Sequence, residues 1–345
     1  MTQKQQTTSD GCLWVFITIV ITVVSFGFIK ILTGVSDLFA IAIALVIAII
    51  LTSKMLGRPS LRSLLRNVLV IFVLVIGIKT AGNFLINLLK TFEFEHSTFT
   101  SEEIVTNDYI LERNDTIPVF KSSRFWKDNY GNSYTGDLAV RERDFTSLRN
   151  HINNYIPPAG GNFWGNLYRY MDKKDTPSLD LVIETFKKIN EEKQLDQMEF
   201  AELVVSCIQD IPYSFVFQEK CLPASYYEDE IKTILEKCPE CCIGNVAYGV
   251  QNPVSFIQNL KGDCDTRTVL IYSILKYFNY DVAILNSDFY RHSIIGIHLP
   301  ASGLNKIYNG KKYILWETTA KYFKAGDLPA TFNDVTYWNV VLTSK

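Results

Sequence analysis

A cysteine, a histidine and a carboxylate occur in the C-terminal half of this chain in an order that suits acyl transfer. Cys264 lies in Lys261-Gly262-Asp263-Cys264-Asp265-Thr266-Arg267-Thr268, ahead of the apolar run Val269-Leu270-Ile271-Tyr272-Ser273-Ile274-Leu275. A glycine and short acidic residues before a helix-like pattern mark the passage from a loop to a helix N-terminus, which places Cys264 in or beside the first turn. Unpaired backbone N–H groups and the positive helix end favour a thiolate there, and the same groups can hold a developing oxyanion. The competing reading is a buried structural cysteine acting as a small apolar filler. Asp263 and Asp265 read as capping and turn residues rather than as acid/base groups.

The chain has four histidines. His96 and His151 lie in polar, weakly patterned surroundings and read as surface residues. His292 and His298 sit in Tyr290-Arg291-His292-Ser293-Ile294-Ile295-Gly296-Ile297-His298-Leu299, a β-rich segment after the cysteine helix. A second strand-like run, Lys312-Tyr313-Ile314-Leu315-Trp316, leads into Glu317-Thr318-Thr319. Thiol, imidazole and an orienting acid are the three parts of a cysteine acyl-transfer site. His292 and His298 are an even number of positions apart, so on a regular strand both face the same way and parity does not choose between them.

The ordered set Gly262-Asp263-Cys264-Asp265, His292 opening a strand, and Trp316-Glu317-Thr318-Thr319 closing the next resembles the transglutaminase-like superfamily of papain-type cysteine enzymes. Upstream, Leu203-Val204-Val205-Ser206-Cys207-Ile208-Gln209 followed by Asp210-Ile211-Pro212-Tyr213 resembles a membrane-anchored bacterial and archaeal branch. Gly326-Asp327-Leu328-Pro329 after the Glu-Thr-Thr segment fits the same branch. The resemblance covers residues 196–330. It implies an α+β fold: N-terminal transmembrane helices, then a transglutaminase-like domain with the cysteine at a helix N-terminus packed on an antiparallel sheet. It also implies catalytic roles for Cys264, His292 rather than His298, and Glu317, with no cofactor or metal. Much of the wider superfamily carries aspartate where this chain has Glu317, so the longer side chain must reach the imidazole differently. Peptidases or amidases and transglutaminase-type acyltransferases both belong there, and the residues do not choose between water and an amine as acceptor. A catalytically inactive binding or scaffold domain on the same fold is the alternative.

The elements that carry these residues follow a very different N-terminal region. The net charge is −2 and no basic patch with interleaved aromatics occurs, which argues against a nucleic-acid partner. After a polar start over 1–11, residues 12–90 read as a membrane anchor of three helices in a lipid bilayer. The expected spans are Cys12–Ile29, Leu38–Thr52 and Asn67–Leu89, the last interrupted by Lys79. Lys54, Arg58, Arg62 and Arg66 lie between the second and third runs with no acidic residue, which places that loop in the cytoplasm and the C-terminal region outside it.

Residues 91–195 read as a strand-rich then helical lead-in. Alternation around Tyr109-Ile110-Leu111 and Ile117-Pro118-Val119-Phe120 suggests strands, and Phe125-Trp126-Lys127-Asp128-Asn129-Tyr130-Gly131-Asn132-Ser133-Tyr134 has the Asn/Gly turn chemistry of a hairpin. Leu179, Val182, Ile183 and Phe186 mark an apolar helix face. Asp196 with Glu199 suggests a capped helix start, with Glu199 and Glu202 on its solvated side. Residues 196–345 form the expected catalytic domain, with an insertion at 217–250 that holds Cys221, Cys238, Cys241 and Cys242. Those four admit disulfides, free thiols or a zinc half-site; an extracytoplasmic location favours disulfides, with Cys221 joined to one of the other three. A peptide or protein substrate fits this organisation.

Overall fold

A computed structural model of the chain describes residues 11–33, 37–57 and 104–345, with isolated positions between 69 and 82. These fall in two compact units, Met1–Ile86 and Asn87–Lys345. In the first, helices α1 (Gly11–Thr33) and α2 (Asp37–Leu56) pack on each other. Ala40, Ala44, Ala48 and Thr52 recur every fourth residue on α2 and are fully buried, because small side chains let two helices approach closely. Around them Phe39, Ile41, Val46 and Ile50 point outward and stay exposed. Among the described residues one helix, over Phe39–Leu56, is long and apolar enough to cross a membrane; α1 carries a shorter apolar run, Leu13–Ile29. The third expected span, Asn67–Leu89, lies outside the described residues apart from those isolated positions, as does His96.

The second unit opens with an antiparallel sheet of β1 (Thr106–Glu112), β2 (Asp115–Lys127) and β3 (Ser133–Arg141) in that order. The turn between β2 and β3 is organised by Asp128, whose carboxylate accepts from the backbone N–H groups of Tyr130 at 2.9 Å and Asn132 at 2.8 Å. Helices α3 (Glu142–Leu148), α4 (Phe163–Asp175), α5 (Asp180–Lys193) and α6 (Gln197–Gln209) follow. The insertion then contributes β4 (Phe215–Val216), α7 (Asp229–Lys237) and β5 (Cys242–Ile243), with β4 and β5 paired in parallel. Disulfides join Cys221 to Cys242 and Cys238 to Cys241. No group of three or more His, Cys, Asp or Glu that could hold a metal ion occurs among the described residues.

After α8 (Pro253–Asn259) comes the cysteine helix α9 (Cys264–Tyr277). The remaining strands are β6 (Val282–Ser287), β7 (His292–Ile297), β8 (Asn305–Tyr308), β9 (Lys311–Trp316) and β10 (Asn339–Thr343). They form one antiparallel sheet in the order β10-β6-β7-β9-β8, so β7 is its central strand. The protein is thus a mixed helix and sheet fold with antiparallel sheets. Its main core is continuous from Trp126 and Phe186 through Leu203 and Leu270 to Ile295 and Trp316. The segment expected as a lead-in therefore shares one core with the C-terminal part.

Two expectations are corrected by this packing. Glu202, expected on the solvated side of α6, is buried and accepts from the Asn129 backbone N–H at 3.0 Å, because the β2–β3 turn folds over that helix. Burial pushes its carboxyl up to about 7. His151, expected at the surface, has a side chain only 9% exposed, with Nε2 2.7 Å from Asp175 of α4.

Helix α9 is held by a buried arginine. Arg267 donates to the backbone carbonyls of Gly262 at 2.9 Å, Ile208 at 3.0 Å and Pro212 at 2.6 Å, tying the cysteine turn to the end of α6. Burial lowers its pKa to about 10, so it remains a cation at neutral pH. Replacing Arg267 with methionine removes three buried hydrogen bonds, leaving Gly262 and Ile208 with the Ser214 and Ile211 N–H groups at 3.3 Å, and is expected to cost about 3–5 kcal/mol, read as a lower urea midpoint of the Asn87–Lys345 unit in the full chain.

Candidate active site

The first turn of α9 is built by local chemistry. Asp263 is its N-cap, accepting from the Thr266 N–H at 3.1 Å, so Cys264 is the first helical residue. Gly262 is required by space: a Cβ there would lie 2.9 Å from both the Phe256 ring and the Thr266 methyl. One turn further on, Thr268 donates toward the Ser293 carbonyl at 3.5 Å and shares a 3.1 Å hydrogen bond with Thr318. These contacts bring the start of α9 to the end of the sheet where β7 begins and β9 finishes. The Cys264 sulfur there faces the backbone amide of Ser293, the residue next to His292.

His292 and Glu317 meet directly. Nε2 of His292 lies 3.0 Å from Oε2 of Glu317, and the two side chains are 12% and 1% exposed. The register explains why a glutamate fits. Ile295 pairs with Trp316, so Glu317 falls opposite Ile294, two residues along β7 from His292 on the same face. Such diagonal neighbours are about 7–8 Å apart at the backbone, a span that long side chains can bridge. The other oxygen, Oε1, accepts from the N–H groups of Thr318 at 2.8 Å and Thr319 at 2.7 Å and from the Thr319 hydroxyl at 2.6 Å. The Glu-Thr-Thr run therefore fixes its own carboxylate. Gln209 of α6 secures the backbone from behind, donating to the Glu317 carbonyl at 2.6 Å and the Phe323 carbonyl at 3.0 Å.

His298 is not brought into this group. It lies past the end of β7, exposed, with Nδ1 2.9 Å from the Lys312 carbonyl. Trp316 is fully buried and donates its indole N–H to Phe323 at 2.8 Å. Cys207 is buried in α6 and takes part in neither disulfide. Tyr168 of α4 was not singled out by its sequence context, yet its hydroxyl donates to Asp265 at 2.7 Å and accepts from the Asn286 amide at 2.8 Å. A tyrosine in the middle of an amphipathic helix carries no signal of a partner 97 residues away.

The electrostatics differ from what a bare helix N-terminus provides. Burial pushes the Cys264 thiol well up, and the neighbouring Asp265 and Asp263 add to the shift; the Ser293 amide opposes it without reversing it. Cys264 therefore rests as a thiol, a correction to the thiolate expected from the helix end alone. Burial raises the Asp263 carboxyl to about 7, with Asp265 contributing, and burial raises Asp265 as well. For His292, burial opposes the charged form but the Glu317 carboxylate outweighs it, so its pKa is raised. For Glu317, burial works upward, yet His292 and Thr319 bring its pKa below the ordinary value.

Beside the pair opens a cavity of about 350 Å³. His292 and Glu317 form part of its wall, with Tyr213, Phe215, Ile231, Ile234 and Phe332 among the others. The His292 ring packs 5.0 Å from Phe332 and 6.0 Å from Trp338. No protein-family model matches the chain, and neither does any curated protein or solved structure.

The sign of the His292 to Glu317 interaction is measurable. The pair's histidine contribution is fully present below the ordinary histidine value of about 6.5 and is lost as pH rises through the raised folded value; the glutamate contribution holds above about 4.5 and is lost as pH falls through the lowered one. Glu317→Gln is therefore expected to lower the His292 pKa, seen as an earlier NMR titration of its ring protons, and to shrink the stability gained between those limits.

Proposed function

We propose that this chain is a membrane-anchored transglutaminase-like cysteine enzyme that hydrolyses or transfers acyl groups on peptide or protein substrates, with Cys264, His292 and Glu317 as its triad. One observation carries the reading: His292, buried and hydrogen-bonded to Glu317, stands one residue from the amide that faces the Cys264 sulfur. Glu317 holds Nε2, which leaves Nδ1 as the ring nitrogen able to exchange a proton with a thiol.

The reaction then runs by general-base activation. Neutral His292 takes the Cys264 proton as sulfur bonds to the carbonyl carbon of an amide, and Glu317 stabilises the imidazolium so formed. First-turn N–H groups of α9, which lack intrahelical acceptors, lie where a tetrahedral oxyanion would develop. As the C–N bond breaks, His292 returns the proton to the leaving amine and a thioester remains. Water or an amine then attacks that thioester, with His292 again accepting the proton and the Cys264 sulfur leaving.

Location supports the same reading. Lys54, Arg58, Arg62 and Arg66 favour a cytoplasmic loop after α2, and three spans would then carry the region after Lys90 across the membrane. Both disulfides of the insertion suit an oxidising, extracytoplasmic compartment. Protease added to intact cells is expected to digest the region after Lys90; protection equal to that of a cytoplasmic marker would reverse the topology.

Alkylation of Cys264 in the full chain tests the chemistry. The iodoacetamide rate should rise with pH through a midpoint above about 6.5, the ordinary histidine value, since His292 must be neutral to accept the proton. His292→Ala should slow it by about 10²-fold near neutral pH. A rate indifferent to His292 would leave an inert domain, and the binding-module alternative would take its place.

A further inference from the structure

Resting on the catalytic reading above, we propose that the cavity beside His292 is a specificity pocket for a bulky, uncharged apolar side chain of the substrate, walled by the disulfide-tied insertion. The cavity joins two sources of apolar surface. From the insertion side come Phe215 of β4 and Ile231 and Ile234 of α7; from the C-terminal side come Pro329, Ala330 and Phe332. Only His292, Glu317 and Arg291 among its lining residues are charged or titrate near neutral pH. His292 and Glu317 already satisfy each other, and Glu317 has three further donors of its own. Arg291 is exposed, and a polar side chain placed against Ile231, Ile234 and Phe332 would lose water with no partner on those three residues, whereas an apolar one gains by burial.

The size agrees. A volume of about 350 Å³ lies at the small end of the roughly 300–1,000 Å³ range of ligand pockets, which suits a residue or two of an extended chain and not a folded surface. Ile231 and Ile234 are half-buried and three residues apart on α7, whereas their neighbour Leu235 is the α7 residue fixed in the interior, at 3% exposure. They are thus free to present one apolar ridge to the cavity. The cross-links hold that ridge in place. Cys238, the C-cap of α7, is joined to Cys241, and Cys242 returns the chain to Cys221 beside the β4–β5 pair. Phe215 pairs directly with Cys242, so one side of the pocket wall and the cross-link belong to the same ladder.

The test uses the full chain in detergent with Cys264→Ala, so that binding is read apart from chemistry. N-acetyl-phenylalaninamide and N-acetyl-glutamic acid α-amide are titrated by ligand-observed NMR. The phenylalanine amide is expected to bind at least about tenfold more tightly, the effect of burying one large apolar side chain. Ile234→Asp should erase that preference, with an unchanged thermal midpoint showing that the fold survives. If Ile234→Asp unfolds, the milder double replacement Ile231→Ala with Ile234→Ala should reduce the preference severalfold. Equal binding of the two amides, or a preference untouched by α7 substitutions, would overturn the proposal. Its failure is distinguishable from failure of the catalytic reading, because the latter shows as iodoacetamide labelling of Cys264 that ignores His292 while the binding preference persists.

Discussion

Much of the second unit depends on one buried cation. Arg267 is fully buried; its guanidinium is shared among the carbonyls of Gly262, Ile208 and Pro212 and lies 5.5 Å from the Tyr213 ring. A planar five-donor group can serve three carbonyls in different directions, which a lysine could not do with the same geometry. Gly262 precedes the cysteine turn, Ile208 closes α6, and Pro212 leads toward the pocket wall at Tyr213. One side chain thereby sets where α9 begins relative to α6. Because Gln209 of α6 also holds the backbone of Glu317, the cysteine turn and the Glu317 segment are both referred to the same helix end.

The second constraint is the end of a sheet. Side chains alternate along a strand, and here successive residues of β7 divide between two cores, Ile295 in one with α9 and Ile294 in the other with Trp338. His292 and Glu317 belong with Ile294 by register, whereas α9 packs on the Ile295 side. A thiol from α9 could not reach that pair through the middle of the sheet. It can do so at the edge of pairing, where β7 starts and β9 has just ended, and Cys264 is placed there as the first residue of its helix. The diagonal between His292 and Glu317 also gives the longer carboxylate its use, since aspartate in that register would fall short.

Local chemistry was legible in the sequence and distant pairing was not. Asp263 as a cap, the Asp196 and Glu199 capping box and the Asp128–Asn132 turn each depend on residues within four positions, and the structure has all three. The succession of helix start, strand and next strand along the chain was also readable, because Cys264, His292 and Glu317 sit at element boundaries; the sheet order was not. Tyr168, Arg267 and Glu202 act through partners 97, 59 and 73 residues away, and nothing nearby points to those partners. A signal did exist for two of them. Glu202 lies within Phe200–Gln209, a stretch of α6 buried on every side, and Arg267 sits two residues before the apolar run that starts at Val269, in a helix buried nearly all round; a charge in such a setting requires an internal partner. The choice between His292 and His298 rested on resemblance, and the structure separates them by the end of β7, a boundary that alternation alone does not locate.

The site sorts its acids by how many donors each receives. Cys264 and Glu317 are buried and Asp263 and Asp265 half-buried around one imidazole and one guanidinium, and loss of water raises every one of them. A low-dielectric interior cannot hold four adjacent negative charges against two positive ones. Glu317 alone ends below its ordinary value, because the charge and hydrogen bond of His292, followed by the Thr319 donors, outweigh its burial. Cys264 has one backbone amide and stays protonated. The permanent anion is thus the carboxylate that pairs with the imidazole, and under the proposed chemistry the thiolate would be made only as a carbonyl carbon arrives, when the charge could pass to an oxyanion at the helix N-terminus. An arrangement of this kind keeps the sulfur protected from oxidants that attack thiolates, which suits a buried cysteine in a chain that carries disulfides a few strands away.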